Sequence, residues 1–494
     1  MSHHAQLSPQ AHDRYQAQRR SSTVLSIVIS ILSVALVGLL LAFLILELPA
    51  AIIDPIIVYR RDLIDEPPPR PKQLNTHRKP NPAPGGASVA IIVVNSTSEA
   101  AVPRPDVTPA ESVPFGNGEG IGIGIGDFDG FPNGVRCPIP DSFSKRCGKE
   151  DRLNRLRESG GVVGIEDAVV KALRWLKANQ GKDGSWGASN KVGMTGLALL
   201  AYLGHCETPV SEEFGESCMN AIAYLLDVAA KNQGKMATNF QDRHWPYEHA
   251  LATYALAEAF TFGQVFRYNI PGHHDAVRDS GQWIIDNQHK SGGWDYSYEE
   301  AGTRGGDLSI TGWHIQALRA CKATRIEFRN LRACANNALA YVEARQAPSG
   351  GFGYSGTTPA GGGVYSLTGV GALSFQIWGK ASHSAARKGV KYLQKNAILD
   401  YNGAQSDLYA HYYHSQAMMQ HGGVAWTKYN ENFAPQLLKA QHADGSFAQP
   451  GGGNKVEAVG GLFAQNNPEG IVYRNCLCAL MLEVYYRYLP GTSK

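Results

Sequence analysis

One heptad-length signature recurs along the chain and fixes most of what it can fold into. Gln180-Gly-Lys-Asp-Gly-Ser-Trp186 returns as Gln288-His-Lys-Ser-Gly-Gly-Trp294, Gln346-Ala-Pro-Ser-Gly-Gly-Phe352 and Gln441-His-Ala-Asp-Gly-Ser-Phe447. In each copy a Gln precedes Trp or Phe by six residues, with Gly between them. Worn copies at Gln233 and Gln394 fill the gaps, so successive glutamines lie 53, 55, 58, 48 and 47 residues apart. A period of this length means a stack of supersecondary units that bury their apolar faces only against one another.

Each unit reads the same way. An amphipathic segment leads into the Gln, as in Ile165, Val169, Leu173 and Leu176 at helical spacing. The Gly-rich loop follows, and a more apolar helix begins after it, as in Thr195-Gly-Leu-Ala-Leu-Leu-Ala-Tyr or Thr311-Gly-Trp-His-Ile-Gln-Ala-Leu. No run has the period-two alternation of a half-buried strand. The pattern predicts an all-α protein: an α/α toroid of about six helical hairpins, amphipathic helices outside and apolar ones inside.

The first third of the chain is different. Residues 1–22 form a polar tail, and no charge occurs from Thr23 to Leu46. An apolar run of that length is enough for one transmembrane helix, and it exceeds the apolar core of a cleaved signal peptide. Residues 47–160 are Pro- and Gly-rich, with a strand-like run at Val89–Val94 and a Gly/Ile tract at 118–130, and read as a disordered linker. The toroid is placed at 161–490. Formal charge is +3 on 18% charged residues, so no bulk basicity points to nucleic acid. The membrane, through the N-terminal helix, is the expected partner.

Of eight cysteines, Cys206 and Cys218, Cys321 and Cys334, and Cys137 and Cys147 are close in sequence. Their spacing predicts local disulfides. Bonds of that kind persist outside the reducing cytoplasm, which makes the C-terminal domain of a single-pass membrane protein exoplasmic or periplasmic.

The Gln-to-aromatic loops resemble the QW motif of the squalene and oxidosqualene cyclases, and the hairpin repeat resembles that of prenyltransferase β subunits. The resemblance covers about Gly164 to Pro490. It implies a structural role for Gln180, Gln288, Gln346 and Gln441, each capping a helix, with Trp186, Trp294, Phe352 and Phe447 packed beneath. It also implies an apolar, isoprenoid-like ligand in a central cavity. The protonating members carry an Asp-x-Asp-Asp acid and the ionising terpene synthases a paired-aspartate metal motif; this chain has neither, and no Asp-Asp dipeptide occurs.

The polar residues with catalytic potential form two like-spaced trios. Asp307, Thr311 and His314 recur in spacing as Asp407, His411 and His414, each trio on one face of an inner helix that is expected to look toward the ring's centre. Carboxylate and imidazole trade protons near neutral pH, so Asp307, with His314, Asp407, His411 and His414, and Glu248 and His249 beside them, makes an acid/base reading. An Asp in the first turn also caps a helix, which explains either residue without catalysis. Prenyltransferase β subunits hold zinc with Asp, Cys and His at inner-helix starts. Asp407 and His411 or His414 partly match, without a nearby Cys. The aromatic residues Trp245, Tyr247, Trp313, Tyr365, Tyr409, Tyr412 and Tyr413 line either a cavity or ordinary core. Three functions remain open at this point: an isoprenoid-binding and transforming ring, a non-catalytic ligand-binding or scaffold ring, and a polysaccharide lyase or hydrolase on the same helical ring.

Overall fold

The structure, a computed structural model, describes residues 146–299, 305–354, 364–453 and 461–487. The chain divides into two compact units, Met1–Gly86 and Ala87–Lys494, and the described residues all belong to the second. The apolar run at 23–46, the run at Val89–Val94 and Cys137 lie outside them. No helix among the described residues is long and apolar enough to cross a membrane.

Among the described residues the secondary structure is helical, apart from two isolated bridges. A leading helix, α1 (Lys149–Glu158), precedes six outer–inner hairpins. The outer helices are α2 (Ile165–Ala178), α4 (Gly215–Lys231), α6 (His273–Asp286), α8 (Leu331–Glu343), α10 (Ser384–Asn396) and α12 (Gly423–Ala440). The inner ones are α3 (Lys191–Gly204), α5 (Trp245–Phe266), α7 (Leu308–Ala323), α9 (Val364–Ile377), α11 (Leu408–His421) and α13 (Pro468–Leu482). A short α14 (Val484–Arg487) ends the fold and packs on α1, so the folded unit begins ahead of residue 161.

The two layers differ as their sequences do. Outer α10 buries one stripe, Ala385, Ala386, Gly389, Val390 and Leu393, at helical spacing. Inner α3 buries thirteen of its fourteen residues, because it has helices on every side. Each inner helix packs on the next, and α13 returns to pack on α3, so the inner layer closes.

The repeated loops are what join the layers. The Nε2 of each good Gln donates twice, once to the Gly carbonyl four residues on and once to a carbonyl of the following outer helix. Gln180 reaches Gly184 and Ser217, Gln288 reaches Gly292 and Cys334, and Gln346 reaches Gly350 and Ala385. Gln441 reaches Gly445 and Ala168 on the first outer helix, 2.8 Å away, and so closes the outer layer as well. Trp186 and Trp294 donate their indole N–H to Leu176 and Ile284 carbonyls. The backbone N–H of Trp186, Trp294 and Phe352 goes inward to the hydroxyls of Thr195, Thr311 and Thr368. The glycine after each of these threonines lets two inner helices meet. A Cβ on Gly196 would sit 2.9 Å from the Ala252 nitrogen, and one on Gly369 would sit 2.7 Å from the His414 nitrogen.

The expected local disulfides are not formed. Cys206, at the end of α3, bonds Cys147 just ahead of α1, 59 residues away. Cys218, Cys321 and Cys334 are free. Each lies on the buried face of its helix, and burial pushes the Cys321 and Cys334 thiols up to about 12. They are packing groups, not bridge partners.

Candidate functional site

The hairpins all run outer to inner, so the inner helices are parallel and their N-termini share one pole. Carboxylates gather there. Asp307 caps α7 through Oδ1, accepting from the Ser309 amide at 2.8 Å and its hydroxyl at 2.5 Å. Tyr247 of α5 extends the chain, its hydroxyl 2.6 Å from Ser309 Oγ and 3.4 Å from the Tyr296 hydroxyl. The Tyr409 hydroxyl of α11 donates to the Ser309 carbonyl. A phenol, a serine hydroxyl and a carboxylate are thus in hydrogen-bonded series.

Asp407 repeats the arrangement on α11. Its Oδ1 accepts from the Ala410 amide and its Oδ2 from the Ser366 hydroxyl at 2.6 Å. The side chain is 4% exposed, and burial lifts its carboxyl to about 6 against these hydrogen bonds. Glu248 of α5 reaches over the start of α3, taking the Val192 and Gly193 amides at 3.1 Å each; burial lifts it to about 7. Glu469 of α13 takes the Ala188 and Ser189 amides in the loop before α3. Helix N-termini attract carboxylates, and lack of water keeps Asp407 and Glu248 easy to protonate.

The histidines do not face the ring's centre as expected. Because Thr311 must meet the Trp294 amide, the face holding it points back at the repeated loop. His314, two turns past Asp307, stacks on Trp294 with ring centroids 4.9 Å apart. Its Nδ1–H donates to the Ile310 carbonyl, so Nε2 accepts from the Tyr298 hydroxyl at 2.7 Å. Neither nitrogen goes to Asp307. Burial drives His314 down to about 3 and His249 likewise, so both are neutral. His249 takes the opposite tautomer, accepting from the Met236 amide and donating to the Ser280 carbonyl. It occupies the place of the loop-binding threonine in the second hairpin.

His411 lies between two phenols. Tyr365 donates to the Ile398 carbonyl and accepts from His411 Nε2, while the Tyr429 hydroxyl donates to Nδ1. His414 donates Nε2–H to the Tyr365 carbonyl, and its buried Nδ1 has no protein partner. Burial holds His411 well below the usual imidazole range and His414 at about 4. Asp407, His411 and His414 are therefore brought to one region through Tyr365 and Ser366, whereas Asp307 turns to Ser309 and His314 to Trp294 and Tyr298. No group of three or more His, Cys, Asp or Glu among the described residues is placed to hold a metal, and the zinc reading of Asp407 and His411 meets an imidazole already committed at both nitrogens.

The centre belongs to other residues. Trp313 of α7 stacks on Tyr412 of α11 at 5.1 Å and meets Tyr413 edge-on at 5.3 Å. Gln316 donates to Gln416 across the same gap. The Tyr412 and Tyr413 hydroxyls and the Gln316 Oε1 are buried without protein partners. Sequence reasoning placed the aromatics near the pole but missed Ser309, Ser366, Tyr298, Tyr429 and Glu469. Ser309 alone was signalled, two residues past a capping Asp.

Among known proteins, no family model matches the chain. Over 186 residues it is 24% identical to a squalene–hopene cyclase of Bradyrhizobium diazoefficiens, a span covering 34% of this chain and 28% of that protein. The structure of a type II terpene cyclase from Scytonema with geranylgeranyl dihydroxybenzoate aligns with TM-score 0.42 at 10% identity, covering 69% of this chain and 100% of that one. The same cyclase with merosterolic acid A gives 0.41 at 11%, covering 69% and 99%. The described part of this chain is an α/α toroid, on its repeated loops and closed inner layer, and the chain is similar in sequence, over about a quarter of that protein's length, to a squalene–hopene cyclase.

Proposed function

We propose that the toroid binds an apolar, isoprenoid-like ligand among the aromatic side chains of its centre and transfers protons to or from it at the pole of inner-helix N-termini. The observation that carries this is Asp407: a buried carboxyl, half-protonated near pH 6, that shares its pole with Asp307, Glu248 and a set of tyrosines. Asp407 supplies or takes the proton, Asp307 does so through Ser309 and Tyr247, and His411 and His414 orient Tyr365 beside Ser366. His314 fixes Tyr298. A carboxyl near 6 is an acid for oxygen-bearing groups rather than for an unactivated alkene, which agrees with the missing Asp-x-Asp-Asp. The apolar run at 23–46 anchors the chain, and the Cys147–Cys206 bond fits a toroid outside the cytoplasm.

The test is to purify the chain from its native membrane and identify co-purifying small molecules by mass spectrometry. A stoichiometric isoprenoid lipid supports the reading, and conversion of it that fails in Asp407→Asn but not in an exposed-surface variant completes it. An empty ring, with Asp307→Asn and Asp407→Asn unchanged in function, refutes it. One observation favours the second reading, a scaffold ring: the Trp313–Tyr412 stack and the Gln316–Gln416 bond cross the centre.

A further inference from the structure

The small net charge hides a strongly polarised ring. Residues 319–395, which run through α8 and α10, hold eleven Lys or Arg against two Glu, whereas residues 207–286, through α4 and α6, hold eleven Asp or Glu against five Lys or Arg. The two stretches differ in more than sign. Acids of the second are largely neutralised within the protein: Glu213 pairs with Arg174, Asp227 with Lys231, Asp275 with Arg278 and Asp286 with Arg329, while Glu248 and Glu258 are buried. The cations of α10 have no such partners. Arg387, Lys388, Lys391 and Lys395 are exposed, and none is in an ion pair among the described residues. Arg387, Lys391 and Lys395 recur every fourth residue, a stripe about 12 Å long on the side opposite the buried Ala386, Val390 and Leu393. Lys380 lies exposed just ahead of α10. Arg332 is exposed on α8, and Lys322 is exposed at the end of inner helix α7, its ammonium 5.3 Å over the half-buried Trp378 ring.

Unpaired like charges on one face cost self-repulsion unless something anionic meets them. We propose that the outer face carried by α10, together with Lys380 just ahead of it, docks on an anionic lipid surface. The form of the face selects this partner. It is lysine-rich, with Lys388, Lys391 and Lys395 on one helix, and ammonium groups act as point charges that suit a diffuse negative surface better than bidentate recognition of one group. Among the described residues it shows no row of exposed aromatics on which bases would stack. A second copy of the chain is a poor match, because the acidic side has already spent its charge internally. The inference is independent of the ligand proposed for the ring's centre and of the apolar run at 23–46.

The test keeps the anchor constant and varies only the lipid charge. The full chain is reconstituted into nanodiscs of phosphatidylcholine alone or doped with phosphatidylglycerol, and lysine acetylation is read residue by residue by mass spectrometry. Lys388, Lys391 and Lys395 are expected to be labelled several-fold more slowly in the anionic discs, with the protection lost at high salt, and Lys171, Lys177 and Lys231 of other outer helices to be unaffected. In a variant carrying Arg387→Glu, Lys391→Glu and Lys395→Glu, whose exposed positions leave the core alone, the protection of Lys388 should vanish. Equal labelling of α10 in the two discs overturns the proposal. So does protection that rises with protein concentration without lipid, which would assign the face to another copy.

Discussion

Replacing Asp407 by Asn should make the protein more stable at neutral pH, not less. The folded carboxyl titrates at about 6 instead of 3.8, because burial strips water from its charged form faster than Ser366, Ala410 and Tyr409 can compensate. Between those two values the folded state holds a proton that the unfolded chain has lost, so stability falls as pH rises. At 1.36 kcal/mol per unit, the ionised carboxylate costs about 3 kcal/mol above pH 7 and roughly half that at pH 5. Asn keeps the cap, since its Oδ1 still accepts from the Ala410 amide, and its Nδ2 can donate to Ser366 Oγ. Equilibrium urea unfolding of both proteins at pH 5 and pH 8 measures the difference. The variant should gain about 3 kcal/mol at pH 8, less at pH 5, and flatten the pH dependence. A variant less stable than the parent at pH 8 would refute the reasoning. It would mean that the carboxylate is better solvated than its neutral isostere, and Asp407 would then be a plain helix cap, too acidic to hold a proton at the pole.

Gln441→Ala removes two hydrogen bonds and the tie between last and first outer helices, and should cost about 2 kcal/mol in urea unfolding, with protease cleavage near Ala168 accelerating. Gly369→Ala forces a Cβ onto backbone atoms of α11, 2.7 Å from the His414 nitrogen and 2.8 Å from the Tyr413 carbonyl carbon, and should lower stability by about 1–3 kcal/mol or more by thermal melting. His314, held down at about 3, should show no titration between pH 5 and 8 in nitrogen NMR and should keep its proton on Nδ1. Cys147→Ser opens a loop of 59-residue separation and should cost about 4 kcal/mol if chain entropy dominates, seen as a shifted urea midpoint that reductant no longer moves.

The toroid could be read from the sequence because its signal is local and repeated. Gln288, two glycines and Trp294 carry the same geometry wherever they occur, and the Thr-Gly steps at 195, 311 and 368 announce where a loop amide docks and where helices touch. The site was read less well, because helical spacing fixes which residues share a face but not which way that face looks. Asp307, Thr311 and His314 do share one, and the Trp294 amide turns it toward the loop while Trp313 and Gln316 take the centre. The cysteines failed for a related reason. Proximity in sequence across an inter-helix turn says nothing of side-chain direction, and Cys218 and Cys334 point into separate parts of the core while Cys206 finds a partner 59 residues back. Glu469 meeting Ser189 across the ring closure has no local signature at all.

Parallel inner helices also decide where charge can be buried. With every N-terminus at one pole, the aligned peptide dipoles favour anions there and cations at the other. The chain follows both preferences. Asp307, Asp407, Glu248 and Glu469 meet amides at the first pole. At the second, Arg146 donates to the Leu203 carbonyl, Arg487 to Leu200 and Arg319 to Ile377. Arg146 and Arg487 grip Glu258 at 2.5 and 3.0 Å, and although burial alone would raise that carboxyl, the two guanidiniums hold it below its ordinary value. Glu483, 3.8 Å from Arg487 but with neither oxygen hydrogen-bonded, is instead pushed well above by burial. The second pole is a place where ions are paired and locked, together with the Cys147–Cys206 bond that ties α1 to α3. The first pole holds Glu248 and Asp407, buried carboxyls lifted to about 7 and about 6, and Asp407 is joined to the Ser366 hydroxyl, so this pole has protons to exchange near neutral pH. That asymmetry comes from the direction in which the hairpins run, and it is the physical reason for seeking the chemistry of this ring at the start of its inner helices.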